Sequence, residues 1–106
     1  MLIQPSSSIL RILEIGGQVV GTGFLATHEL AVTCSHVITQ CLGLFVDPEN
    51  SPKETIYFDL PLIEGTPKIS GRVVVWQPRQ PDSRGDLAIL QVLDPLLLQA
   101  EPVTIV

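Results

Sequence analysis

Residues 9–33 read ILRILEI-GG-QVVGTGFLA-THE-LAVT, three short apolar runs rich in β-branched residues and separated by turn formers. Such runs bounded by glycine are the pattern of strands joined by tight turns. Ile9 to Ile15 is the first expected strand. Gly16-Gly17 is expected as a two-residue hairpin turn. Gln18 to Ala26 is the second strand, with Gly21 and Gly23 permitting a bend or a close backbone approach. After Thr27-His28-Glu29 a short third strand runs from Leu30 to Thr33.

The pattern continues in both directions from this stretch. A helical turn is expected within Ser35 to Leu42. Asp47 to Lys53 holds two prolines, an asparagine and a serine, and reads as a loop. Thr55 to Leu60 is a fourth strand, in which Ile56 and Phe58 alternate with Tyr57 and Asp59. Ile69 to Gln77 is a fifth, and Leu87 to Leu93 a densely apolar sixth. Between them, Gln77 to Gly85 is polar, carries Pro78 and Pro81, and loops at the surface. Six short strands with brief links and almost no helical periodicity give an all-β chain folded as a small antiparallel barrel.

Composition narrows the function classes. The chain has 106 residues, 45% of them hydrophobic and 16% charged. Its mean hydropathy is +0.39. It is too apolar to be disordered and long enough for one core. Eleven acids against six bases oppose a phosphate-binding surface, so no nucleic-acid partner is expected. No run approaches the roughly 18 apolar residues of a membrane span, so no membrane partner is expected either. Met1 to Leu10 lacks a cationic leader pattern, and two cysteines are too few for a disulfide scaffold. These features point to a cytoplasmic setting. A bridge between Cys34 and Cys41 remains open on spacing alone.

Two segments carry chemistry: GTGFLAT (21–27) followed by LAVTCSHVI (30–38), and GDLAIL (85–90). Together they resemble the N-terminal half of trypsin-like (chymotrypsin-fold) serine peptidases, bacterial ones especially. That family has a G-x-G-F-[LIV] strand, an L-T-[AC]-[AS]-H-V block with the catalytic histidine, and a D-[LIV]-A-[LIV]-[LIV] strand opened by the catalytic aspartate. The resemblance runs from about Ile9 to Val106. It assigns the histidine role to His36 and the aspartate role to Asp86, 50 residues apart. The implied fold is a six-stranded antiparallel Greek-key-like barrel, the first half of a chymotrypsin-type double barrel. On that reading residues 1–93 are the N-terminal barrel. Residues 94–106 are a linker and a first strand, Val103 to Val106, that ends without a partner and leads toward an absent second barrel.

The chemistry such a pair performs is specific. A neutral imidazole removes the proton of a serine hydroxyl during attack on a carbonyl, and a buried carboxylate fixes its tautomer and stabilises the resulting cation. The family's G-[DN]-S-G-G nucleophile block does not occur here. Ser6, Ser7, Ser8, Ser35, Ser51, Ser70 and Ser83 all lie in other contexts. With no nucleophile in this chain, the function expected is that of the N-terminal part of a trypsin-like serine endopeptidase. It is inactive in isolation and acts on a protein or peptide substrate only in a longer polypeptide.

Plainer readings stand beside this one. Asp86 at a strand start also suits a turn or cap residue. His28 in its turn reads as exposed and inert. Ser35 is expected to point away from the His36 ring, and Cys34 reads as a small buried hydrophobe. Phe24, Phe45, Phe58 and Trp76 read as core or barrel-end packing. No cofactor and no metal are expected. His28, Cys34, His36 and Cys41 can be assembled into a zinc set on paper, but their spacing fits no usual finger or ribbon.

Two alternatives to a peptidase half remain. One is a non-catalytic, protease-derived binding or oligomerisation module, with a homodimer through the face left by the missing barrel. The other is an unrelated barrel with coincidental motifs, which a separation of His36 and Asp86 beyond about 8 Å would favour.

Overall fold

Alternation along each strand sends one set of apolar side chains inward. On β2 (Ile9–Leu13) Leu10 and Ile12 are fully buried, and on β5 (Ile56–Asp59) Ile56 and Phe58 are buried while Tyr57 is exposed. The structure, a computed structural model, describes residues 2–3, 8–63, 67–82, 84–95, 102 and 104–105. The other elements are β1 (Leu2–Ile3), β3 (Val19–Leu25), β4 (Leu30–Thr33), α1 (Ser35–Cys41), β6 (Ile69–Gln77), β7 (Leu87–Val92) and β8 (Thr104–Ile105).

Six antiparallel strands close into a barrel in the order β2-β3-β4-β7-β6-β5. The order is Greek-key-like, because β7 folds back to lie beside β4 and β5 returns to β2. The closing seam, β2 on β5, pairs Arg11 with Asp59. There the guanidinium forks onto the carboxylate, Nε to Oδ1 at 2.9 Å and Nη2 to Oδ2 at 2.7 Å. Closure leaves the barrel itself without a free edge. Leu10, Ile12, Leu25, Ile56, Phe58, Ile69 and Leu90 fill the interior, and Ile38 of α1 plugs one end. Val37 of α1 packs so closely on Gly21 that a Cβ there would overlap it.

Two ladders shift register, between Ile12 and Leu13 and between Val73 and Val75. At the first, the broken alternation turns both Ile12 and Leu13 inward; at the second, Val74 and Val75 face out. No helix among the described residues is long and apolar enough to cross a membrane.

Three expectations are corrected. The first hairpin is not a two-residue turn. The amide of Gly17 donates to Glu14 O and that of Glu14 to Gln18 O, with Gly17 at φ 88°, so Ile15 to Gly17 form a three-residue loop. A two-residue type I′ turn needs positive φ at both positions, and only Gly17 has it. Ile15 is therefore solvent-exposed.

Second, Phe45 is not packing but fully exposed, in a loop outside the barrel. Third, the tail strand has a partner. Thr104 and Ile105 pair antiparallel with Ile3 and Leu2. Before it, the chain leaving β7 is tied down by Asp94, whose Oδ2 accepts from the Ser70 amide at 2.6 Å and hydroxyl at 2.8 Å. Val103 and Val106 lie outside the described residues.

Phe58 is fully buried and Phe45 fully exposed, so the two aromatics bracket the core contribution. Phe58→Ala lowers unfolding free energy by about 3–5 kcal/mol in urea titrations. Phe45→Ala leaves it within about 0.5 kcal/mol. Equal effects would contradict the barrel interior described here.

Candidate active site

The ladder between β4 and β7 determines what meets at the barrel end. Leu30 pairs with Gln91 and Thr33 with Ala88. Carried two steps past Thr33 and Ala88, the same register sets Ser35 opposite Asp86. The first turn of α1 thus begins directly over the residue that opens β7.

Asp86 reaches this place through an unusual backbone. Gly85 lies at φ 80° and Asp86 at φ 65°, two left-handed residues in succession. A Cβ on Gly85 would run into the Pro78 carbonyl, so the position requires glycine. For Asp86 the left-handed conformation costs of order 1–3 kcal/mol. The bend turns its carboxylate back onto α1.

That carboxylate is heavily bonded. Oδ1 accepts from the His36 amide at 2.9 Å and the Ser35 hydroxyl at 3.0 Å. The His36 ring contacts it through Nδ1, 2.9 Å from Oδ1 and 2.8 Å from Oδ2. The N-cap of α1, Cys34, makes no side-chain cap bond, and the first turn holds no acid. Asp86 therefore supplies from a different strand the acceptor that a cap residue normally provides. Burial pulls its carboxyl upward, but the His36 amide, the imidazole and the Ser35 hydroxyl outweigh this and hold it below the usual range.

The His36 and Asp86 side chains are 40% and 25% exposed. An ionised carboxylate can only accept, so Nδ1 of the ring donates. In the neutral imidazole this leaves the lone pair on Nε2, at the ring edge turned away from Asp86. That nitrogen is set up to act as a base.

Asp47, read from the sequence only as the start of a loop, is the unforeseen member. Its Oδ2 accepts from the Ser35 hydroxyl at 2.5 Å and the Arg79 amide at 2.8 Å. Contrary to the expectation that Ser35 turns away from the ring, its hydroxyl and His36 Nδ1 converge on the same Asp86 oxygen. Its one hydroxyl proton serves two carboxylates. Trp76 fixes the Asp47 loop by donating from Nε1 to Pro48 O at 2.9 Å. Burial raises the Asp47 carboxyl, yet Ser35, the Arg79 amide, the Thr39 hydroxyl and the Arg79 charge bring it below the ordinary range. Thr39 Oγ1 and Asp47 Oδ1 are buried without a well-formed hydrogen bond. Nothing in the sequence beyond an Asp-Pro opening marks Asp47.

The cysteines are free thiols, with no bridge between them. Cys41 Sγ donates to Leu13 O at 3.2 Å. Cys34 lines a cavity of about 470 Å³ with Asp86, Ile9, Phe24 and Leu87. Burial and the nearby Asp86 charge push its thiol up. His28 is exposed in the turn between β3 and β4. Of the four residues in the paper zinc set, Cys34 and His36 come together, joined by Asp86. Donor atoms of these three lie within 4.8 Å of one another.

Two consequences can be measured. Gly85→Ala costs about 2 kcal/mol or more of unfolding free energy, because Ala must adopt a left-handed backbone against the Pro78 carbonyl. An unchanged urea midpoint would contradict that conformation. The second concerns acid. Asp47 and Asp86 both have carboxyls lowered by folding, so their contribution is complete above the usual carboxylate range and is lost as pH falls through the lowered values. In chelator-treated buffer the urea midpoint of the unaltered chain drops from about pH 5 downward. Asp47→Asn starts lower at neutral pH and falls less steeply in acid, and a parallel fall would refute the assignment.

Compared with protein-family models and with curated proteins, the chain matches none. What these side chains can do rests on their geometry.

Proposed function

We propose that this chain is the first barrel of a trypsin-like serine endopeptidase, carrying the general base and its orienting carboxylate to a serine located elsewhere in a longer polypeptide. The observation that carries this reading is the His36–Asp86 pair, with Nδ1 at 2.8 Å from Oδ2 in a closed six-stranded barrel. The distance lies far inside the separation that coincidental motifs would have favoured.

In this mechanism Nε2 of His36 takes the proton of the attacking serine and later delivers it to the leaving amine. Asp86 holds the ring in the Nδ1–H tautomer and stabilises the imidazolium that forms. Ser35 is no substitute nucleophile, since its hydroxyl is committed to Asp47 and Asp86. On this reading the barrel works only with a serine supplied from elsewhere.

A second reading, a binding or self-association module, is favoured by one specific observation. Leu44, Phe45 and Val46 are 46%, 100% and 77% exposed. Leu44 and Phe45 share a cavity of about 320 Å³ with His36. The tail strand no longer supports a swapped homodimer, because it already pairs with β1.

The test is made on the native polypeptide containing this region, isolated from the source cell and treated with a fluorophosphonate probe. A labelled band well above 11.5 kDa is expected. His36→Ala in that polypeptide should slow labelling at least about 10³-fold. Labelling that ignores His36→Ala, or a native band at 11.5 kDa, would discard proteolysis in favour of binding or assembly.

A further inference from the structure

We propose that Cys34, His36 and Asp86 form a binding site for a thiophilic divalent cation, Zn²⁺ foremost, which competes with the hydrogen bond between the imidazole and the carboxylate. The proposal goes beyond the peptidase reading and does not depend on it, because it needs only the three side chains and the cavity beside them.

The donor set selects the ion. One thiolate, one imidazole and one carboxylate suit Zn²⁺ and related borderline-soft cations. Mg²⁺ and Ca²⁺ are hard cations that take oxygen ligands, and a thiolate beside an imidazole suits neither. A catalytic-type zinc centre takes three protein ligands and leaves its fourth position to water or a small ligand. The cavity of about 470 Å³ lined by Cys34 and Asp86 offers room for that fourth position and a path for the ion.

The distances are close to what coordination needs. Zinc–ligand bonds of about 2.0–2.3 Å set neighbouring donors in a tetrahedron about 3.3–3.7 Å apart. The three donor atoms already lie within 4.8 Å of one another. The Nδ1–Oδ2 contact of 2.8 Å has to open by about half an ångström. The sulfur has to close by no more than about 1.5 Å, within reach of a small rotation of one side chain. All three residues are half-buried, which shields the site without sealing it.

The frame is rigid. Cys34 and His36 flank the start of α1, and Asp86 sits in the strained turn before β7, tied to them by the β4–β7 ladder. The Ser35 hydroxyl on Asp86 Oδ1 steadies the carboxylate, as outer-shell partners of metal ligands do. Binding replaces the thiol proton with the metal and releases it to solvent, while the ring proton passes from Nδ1 to Nε2 and frees the Nδ1 lone pair, so atoms and charge balance without a redox partner. A loaded site takes Asp86 away from Nδ1, and the ring loses the partner that orients it.

Titration of Co²⁺ into the reduced full chain, followed by its visible and near-ultraviolet absorption, tests the proposal. A saturable one-to-one spectrum with a thiolate-to-cobalt charge-transfer band is expected, and Zn²⁺ should displace it. Cys34→Ser, nearly isosteric and therefore safe for the fold, should abolish the charge-transfer band. It should also weaken Zn²⁺ binding by calorimetry at least about tenfold. Cys41→Ser should change neither. Absence of saturable binding, a band that survives Cys34→Ser, or one that vanishes in Cys41→Ser would overturn the site.

Discussion

One carboxylate holds together the barrel end where Ser35, His36 and the start of α1 meet. Asp86 accepts from the backbone at the start of α1, from the Ser35 hydroxyl and from the His36 ring. A buried donor left unmet costs about 1–3 kcal/mol. The Ser35 hydroxyl keeps Asp47 as a second acceptor and the His36 ring is 40% exposed, so the His36 amide depends on Asp86 most. The combined pull of these donors offsets the strain of a non-glycine residue at positive φ. Helix start and ring orientation depend on the same two oxygens, so neither can be changed without disturbing the other.

That arrangement is delivered by sheet geometry. The β4–β7 register brings residues 50 positions apart into contact, and the β2–β5 ladder closes the strands into one barrel around it. A slip of one residue would send the Ser35 side to the wrong face and expose Ala88 and Leu90. Burial of those residues is thus also what keeps the site in register.

Most of the barrel was legible because strand signals are local. Ile69–Gln77 and Leu30–Thr33 match the expected bounds, and α1 falls inside Ser35–Leu42. The contact between His36 and Asp86 was foreseen through motif order rather than periodicity. What stayed hidden depends on distant partners. Asp47 matters only because a loop folds back onto Ser35 and Arg79, and Cys34 acquires neighbours only when β7 arrives. Phe45 misled because aromatic content predicts burial on average, and a loop can hold a phenylalanine wholly in solvent. The pairing of β1 with β8 joins the two extremes of the sequence, where local pattern carries no information.

The single tryptophan gives the molecule a built-in optical gauge. Trp76 spans the junction between β6 and the loop bearing Asp47, half-buried, with its indole N–H on the Pro48 carbonyl. Indole emission responds to hydration and to the loss of such a bond. Lifting of this loop alone would therefore register as a change in colour before the barrel loses any of its strands. Motion of the loop that carries Asp47 is thus open to observation by light alone, without an added dye.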